Sequence, residues 1–221
     1  MGGWGSVRLI AELDTMIELL NCDCMEYMAT VPDKYFDLAI VDPPYGINSG
    51  DMTRSKWASS LFEKKDWDKK IPEKAYFDEL MRVSKNQIIW GGNYFGLPPS
   101  RCFLIWDKGA GFKDRTYAEC ELAWTSFDAN AKIYKRDPLA CGDYKGKIHP
   151  TQKPVKLYEW LLTNYAKKGQ KVFDSHLGSG SSAIAAHYFG VDFVGCELDK
   201  DYFEAAKARF DMATKQLAMS I

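Results

Sequence analysis

Apolar positions fall into short runs, separated by polar stretches and by glycine or proline punctuation. Ile17–Leu20 predicts a short strand ending at Asn21-Cys22-Asp23, and Met25–Thr30 a short helix stopped near Pro32. Phe36–Val41 predicts a buried strand that runs straight into Asp42-Pro43-Pro44-Tyr45-Gly46. Glu73–Val83 reads as a helix and Gln87–Trp90 as a strand closed by the turn Gly91-Gly92-Asn93. Cys102–Trp106 and Glu119–Thr125 are two further strands, with 109–115 as a hairpin connection. Val155–Ala166 is an amphipathic helix opened by Pro154, a residue that a first helical turn accepts. Strand Lys171–Phe173, a glycine loop, helix Ser182–Phe189, strand Phe193–Cys196 and a helix from Lys200 complete the series. Strands that alternate with helices predict an α/β domain around a parallel sheet of about seven strands.

Two stretches carry no period. Residues 47–71 are polar and charged, with Trp57, Phe62 and Trp67 scattered through them. Loops of that length are uncommon in compact domains and tend to be functional, so a mobile loop is expected there. Residues 129–148 read as irregular and basic. The glycine-rich start, Met-Gly-Gly-Trp-Gly-Ser, predicts a flexible leader over residues 1–15, with a single domain over 16–221. That length suits one sizeable core.

Composition alters this picture little, but charge placement alters it more. The 46% hydrophobic and 27% charged content is ordinary for a globular chain, and no apolar run reaches membrane-spanning length. Without a membrane segment or an export signal, a cytoplasmic protein with no membrane partner is expected. The six cysteines form no C-x-x-C pair and are expected to be buried free thiols. A net charge of −1 argues against a nonspecific nucleic-acid coat. Yet residues 54–156 hold 20 Lys+Arg against 13 Asp+Glu, while the flanks are acidic. A basic middle predicts one cationic face.

Chemistry gathers at the ends of two predicted strands, where doubly wound sheets place their ligands. Phe173-Asp174-Ser175-His176-Leu177-Gly178-Ser179-Gly180-Ser181-Ser182 joins a strand to a helix through small residues. Such a loop lets the backbone approach a ligand, and the helix start offers free amide donors. The next strand ends at Glu197, where an acid can accept both hydroxyls of a ribose. The full G-x-G-x-x-G is absent, since position 183 is alanine, and there is no NTPase phosphate loop. These features point to a nucleoside cofactor. At Asp42-Pro43-Pro44-Tyr45, two prolines stiffen the backbone and leave a carbonyl free as an acceptor. Asp42 adds a second acceptor and Tyr45 a flat face, the complement of an exocyclic amine on a planar ring. His149, His176 and His187 lie on separate segments without ligand spacing, so no metal is expected, and His187 reads as packing.

Taken together, these segments make the chain resemble the beta class of DNA amino-methyltransferases, from Ile17 to about Arg209. Asn21-Cys22-Asp23-Cys24 is similar to that family's first acidic turn, Asp42-Pro43-Pro44-Tyr45 to its catalytic motif, and His149-Pro150-Thr151-Gln152-Lys153-Pro154 to a segment that helps hold the cofactor. Asp174–Ser182 resembles its glycine loop and Glu197 its ribose acid. The catalytic motif precedes the glycine loop, the order that marks the beta class. The resemblance implies a Rossmann-like SAM-methyltransferase fold with helices on both faces of a mostly parallel sheet, circularly permuted in motif order. It implies S-adenosyl-L-methionine (SAM) as cofactor, held by Asp23, Cys24, Asp42, Thr151, Lys153, Asp174, His176, Gly178, Ser179, Gly180, Ser181, Ser182 and Glu197. It implies double-stranded DNA as substrate, in a bacterial or phage-infected cell, with base flipping and with Asp42, Pro43, Pro44 and Tyr45 at the reacting amine.

A small target-recognition insertion is then expected at 127–148, with Lys132, Lys135, Arg136, Lys145 and Lys147 as phosphate contacts, and its small size suits a homodimer. The tetrapeptide begins with Asp rather than Ser, which favours adenine N6 over cytosine N4. No cysteine follows a proline, which removes cytosine C5 chemistry. The family's loop usually reads Asp-Pro-Phe-x-Gly-Ser-Gly-Thr-Thr. Here Ser175 and His176 replace the Pro and Phe, and Ser181 and Ser182 the threonines. A catalytically weak SAM- and DNA-binding orphan is the alternative this departure supports; an amine methyltransferase acting on RNA or on protein glutamine is another.

Overall fold

The computed structural model describes residues 6–10, 15–48, 65–115 and 117–215. The expected leader at 1–5 and 11–14, and the stretch 49–64 of the expected mobile loop with Trp57 and Phe62, lie outside the described residues.

Nine strands form one sheet among the described residues: β1 (Ser6–Ile10), β2 (Met16–Asn21), β3 (Phe36–Val41), β4 (Ser84–Trp90), β5 (Phe103–Asp107), β6 (Cys120–Thr125), β7 (Lys132–Lys135), β8 (Lys171–Asp174) and β9 (Asp192–Glu197). Their spatial order is β1-β2-β9-β8-β3-β4-β6-β5-β7. The run β2-β9-β8-β3-β4 is parallel throughout, and β6 is antiparallel to both β4 and β5. The fold is the expected Rossmann-like, mostly parallel sheet. Two strands exceed the seven expected. Ser6–Ile10 lies within the supposed leader, yet it pairs antiparallel with β2. Lys132–Lys135 lies within the supposed irregular stretch, yet it pairs in parallel with β5.

Five α-helices among the described residues cover both faces: α1 (Cys24–Ala29), α2 (Lys74–Val83), α3 (Val155–Tyr165), α4 (Ser181–Phe189) and α5 (Lys200–Lys215). Alternate side chains of a strand point to opposite faces, and β3 shows the result. Leu38 and Ile40 join a core with Leu157 and Leu161 of α3, Ala183 and Ala186 of α4, and Phe210 of α5. Ala39 and Val41 join a second core with Met28 of α1 and Tyr76, Phe77, Leu80 and Val83 of α2. Each buried Val, Leu, Ile, Phe or Met among them stabilises the fold by about 1.5–3 kcal/mol through loss of apolar surface to water. Helix α4 is buried from Ser181 to Ala186, which its short Ser-Ser-Ala-Ile-Ala-Ala run permits. No helix among the described residues is long and apolar enough to cross a membrane. All six cysteines are free thiols; Cys22, Cys102 and Cys196 are buried as expected, Cys24 is half-buried, and Cys120 and Cys141 are exposed.

Candidate active site

The sheet order decides where a ligand can sit. β8 connects through α4 to β9 on one side, while β3 connects through α2 to β4 on the other. The chain therefore diverges between β8 and β3, and a crevice opens at the carboxyl ends of such a pair. Leu38 pairs with Val172 and Ala39 with Phe173. That register puts the turn starting at Asp42 beside the loop starting at Asp174, although 132 positions separate them in the sequence. A cavity of about 600 Å³ occupies the crevice, lined by Asp23, Asp42, Lys153, His176, Gly178 and Glu197 among others. Its size is in the range of small-molecule sites.

Asp42 anchors one end. Its Oδ2 receives Lys153 Nζ at 2.6 Å and its Oδ1 receives the Tyr45 hydroxyl at 2.5 Å. Lys153 also reaches Glu121 Oε2 at 2.8 Å, and Lys108 reaches Glu121 Oε1 at 2.7 Å. Two carboxylates and two ammonium groups thus form a chain in which Lys153 is 3% exposed and Asp42 16%. Burial pushes the Asp42 carboxyl above its usual range; Lys153 opposes this and Glu121 adds to it. Burial acts the same way on Glu121, but Lys153 and Lys108 together outweigh it and hold its pKa at about 2. Tyr45 stacks on Tyr94 with ring centroids 5.1 Å apart. Gly91, at φ +70°, lets the backbone pass against that ring: a Cβ there would lie 2.2 Å from a Tyr45 ring carbon.

The other end is built from β8, β9 and the 149–154 segment. Glu197 Oε2 accepts the Gly178 amide at 2.8 Å and Oε1 the Asp199 amide at 3.0 Å. Burial raises its carboxyl above the usual range despite these donors. Asp174 is fully buried; its oxygens accept the Ser182 hydroxyl at 2.6 Å and the His176 amide at 3.0 Å. With no cation hydrogen-bonded to it among the described residues, burial raises its pKa to about 7. Lys153 bridges the two ends, because its carbonyl accepts the Ser181 hydroxyl at 2.7 Å while its ammonium holds Asp42. His149 packs against Tyr202, and burial lowers its pKa to about 3. Trp67 covers His149 at 5.3 Å, and Asp68 accepts the Gly46 amide at 2.9 Å. Trp67, Lys70 and Ile71, at the described end of the 47–71 segment, line the cavity.

The residues expected from sequence divide into groups. Asp23, Cys24, Asp42, Pro44, Thr151, Lys153, His176, Gly178, Ser179 and Glu197 line the cavity. Asp174, Gly180, Ser181 and Ser182 stand behind the loop, and Pro43 and Tyr45 lie beside the cavity rather than on its wall. Lys132, Lys135 and Lys145 are exposed. Arg136 is tied to Asp143 by two hydrogen bonds of 2.7 and 2.8 Å, so its charge is already compensated. Lys147 is half-buried over the Tyr144 ring, where burial and Lys108 lower its pKa to about 8. Sequence reasoning missed Glu121 and Lys108. Neither belongs to a motif, and the available signal was a lysine and an acid near opposite ends of the predicted hairpin strands.

The sheet order and the two strand-end sites define a methyltransferase-type α/β fold. The fold is shared with the crystal structure of the M1.HpyAVI–SAM complex, at TM-score 0.58 and 20% identity, covering 88% of this chain and 100% of that one. It is shared also with PvuII DNA methyltransferase, described as cytosine-N4-specific, at TM-score 0.57 and 13% identity, covering 90% and 92%. In sequence, residues 105–208 match the N6_N4_Mtase family model, described as DNA methylase. Similar proteins include the type II methyltransferases M2.DpnII of Streptococcus pneumoniae and M2.LlaDCHI of Lactococcus lactis subsp. cremoris. Each is 23% identical across 87% of this chain, covering 89% and 88% of those proteins.

Proposed function

We propose that the protein transfers a methyl group from SAM to the N6 amine of adenine in double-stranded DNA, on a base flipped out of the helix. The observation that carries this reading is the β3–β8 register, which sets Asp42 and Pro44 of the Asp42-Pro43-Pro44-Tyr45 turn and the Gly178 loop on one cavity. The donor set suits SAM. Glu197 is a cavity-facing carboxylate for a ribose diol, the loop at Gly178 and Ser179 leaves its backbone close to the cavity, and Asp23 and Asp42 favour a cation there. When bound, SAM supplies an electrophilic methyl on a sulfonium.

The protein's share is acceptance and positioning. An aromatic amine is a poor nucleophile because its lone pair is delocalised into the ring. Asp42 and the Pro43 carbonyl accept its two N–H bonds and favour a pyramidal nitrogen. Such acceptors act most strongly where positive charge develops on nitrogen. Each Asp42 oxygen already takes one donor, and a carboxylate offers about four lone-pair sites, so capacity remains. Lys153 fixes the carboxylate in place. Flipping the base costs a few kcal/mol, and stacking on Tyr45 recovers about 1–3 kcal/mol. Lys132, Lys135 and Lys145 are placed to meet phosphates, which position the duplex without specifying sequence. The 127–148 stretch, now seen to include β7, serves as the recognition segment. The leading Asp of the tetrapeptide supports adenine over cytosine.

The test is transfer of labelled methyl from SAM to duplex DNA, followed by nucleoside analysis. Label is expected in N6-methyldeoxyadenosine, with a loss on the order of 10²–10³ in rate for Asp42→Ala. Label in deoxycytidine would overturn the base assignment, and equal rates for the two proteins would overturn the role of Asp42.

A further inference from the structure

Two of the four departures from the family's loop, Ser175 and His176, meet a third residue. Ser175 Oγ lies 2.8 Å from His176 Nδ1 and 2.6 Å from the hydroxyl of Tyr76, in the first turn of α2. The Tyr76 ring meets the imidazole edge-on, with centroids 5.5 Å apart. All three residues line the cavity.

The direction of these hydrogen bonds follows from counting donors. Tyr76 is buried, and among the described residues its hydroxyl has one partner, Ser175. If Nδ1 carried the imidazole proton, it would donate to Ser175, and either the Ser175 hydroxyl or the Tyr76 phenol would be left without an acceptor in a buried place. An unmade buried donor is costly. In the opposite direction Tyr76 donates to Ser175 and Ser175 donates to Nδ1, so both hydroxyl protons have acceptors and the one unpaired proton is carried by the imidazole that faces the cavity. The imidazole proton then sits on Nε2. No side chain or carbonyl among the described residues is hydrogen-bonded to Nε2, and His176 faces the cavity. Burial holds the ring neutral, with a pKa lowered to about 4 against the pull of Asp23.

Resting on the reading of this cavity as a SAM site, we propose that His176 is a cofactor-binding residue whose Nε2–H donates to an acceptor of the bound sulfonium nucleoside, with Ser175 and Tyr76 as positioning residues that fix its tautomer. A proline at position 175 could not relay the proton, and a phenylalanine at 176 has none to give. The two replacements therefore make sense only as a pair, completed by Tyr76. The site exchanges an apolar contact for a directed hydrogen bond.

Calorimetric affinity for S-adenosylhomocysteine and for 5′-methylthioadenosine, which lacks the amino-acid carboxylate, tests the donor. Nitrogen-15 spectra of labelled histidine test the tautomer. His176→Phe is expected to weaken S-adenosylhomocysteine binding about three- to tenfold, the range for one lost hydrogen bond. Weakening of both ligands places the acceptor on the nucleoside; weakening of S-adenosylhomocysteine alone places it on the carboxylate. The His176 ring should appear as the Nε2–H tautomer, and Ser175→Ala and Tyr76→Phe should erode that preference while thermal unfolding shows the fold intact. Equal affinity for wild type and His176→Phe, or an Nδ1–H tautomer in the wild type, would overturn the inference alone. Failure of the wild type to bind S-adenosylhomocysteine would overturn the proposed function and this inference with it.

Discussion

The sheet buries carboxylates in two different ways. At the end of β8, Asp174 is compensated by a hydroxyl and an amide and by no cation, and its pKa rises to about 7. On β6, Glu121 is half-buried but flanked by two lysines, and its pKa falls to about 2. Neutral donors can satisfy a carboxylate's lone pairs, but they do not repay the loss of water around its charge; a cation does. The first device gives a group that takes up a proton near neutrality. The second gives a permanent charge that holds Lys153, and through Lys153 the acceptor Asp42. Asp42 stands between the two cases, with one lysine and one like charge as neighbours.

The largest effect expected from breaking this contrast comes from Lys153→Met. It removes the shared cation and leaves Asp42 and Glu121 facing each other, partly dehydrated. Removing one partner of a buried ion pair costs about 3–5 kcal/mol. Urea unfolding at neutral pH should show a loss of that size, and acidification should restore part of it by protonating Asp42. A loss below about 1 kcal/mol would show that water reaches the pair freely.

Next in size is Asp174→Asn. In the wild type the folded-state pKa of about 7 exceeds the unfolded model value of 3.8, so the folded state binds the extra proton. The associated stability is fully present below about pH 4 and is lost as pH rises through 7. Across pH 5 to 8 the loss is about 2–3 kcal/mol. The asparagine variant should lack that slope, so its stability relative to wild type should rise with pH. Parallel stability curves for the two proteins would mean that Asp174 stays ionised throughout.

The smallest effect expected is from Glu121→Gln, which turns the ionic device into a neutral one. Lys153 keeps Asp42, and the amide oxygen still accepts from a lysine. Glu121 raises the Asp42 pKa, so its neutralisation should move the acid limb of the methylation rate to lower pH. The plateau rate should fall less than tenfold, since Asp42 keeps its acceptor geometry. A shift to higher pH would reverse the assigned direction of coupling.

The contrast also marks what the sequence could tell. β3, β8 and β9 were legible because buried parallel strands end in loops whose chemistry is written in consecutive residues: Asp42-Pro43-Pro44-Tyr45, Gly178-Ser179-Gly180 and Glu197. Their adjacency followed from fold logic and motif order. β7 was not legible, because Lys-Ile-Tyr-Lys leaves Ile133 67% exposed at the sheet edge and shows no buried face. β4 begins at Ser84 directly after Val83 of α2, with no glycine or proline to mark the boundary, so its first three residues were missed. The Glu121 link was invisible for a deeper reason: Glu121 meets Lys153 only after an antiparallel arm has folded back on the parallel half, and no local spacing encodes that. The basic character of 127–148 was read correctly as composition but too simply as surface, since Arg136 and Lys147 are spent inside the protein.

One position near the site has no slack. A single methyl group at residue 91 would be lodged within the aromatic ring of Tyr45 while leaving every polar partner in the cavity unchanged. Anyone diversifying this protein should treat that codon as frozen. A library that varies it would return failures that look chemical in origin and are in fact a matter of one carbon atom's volume.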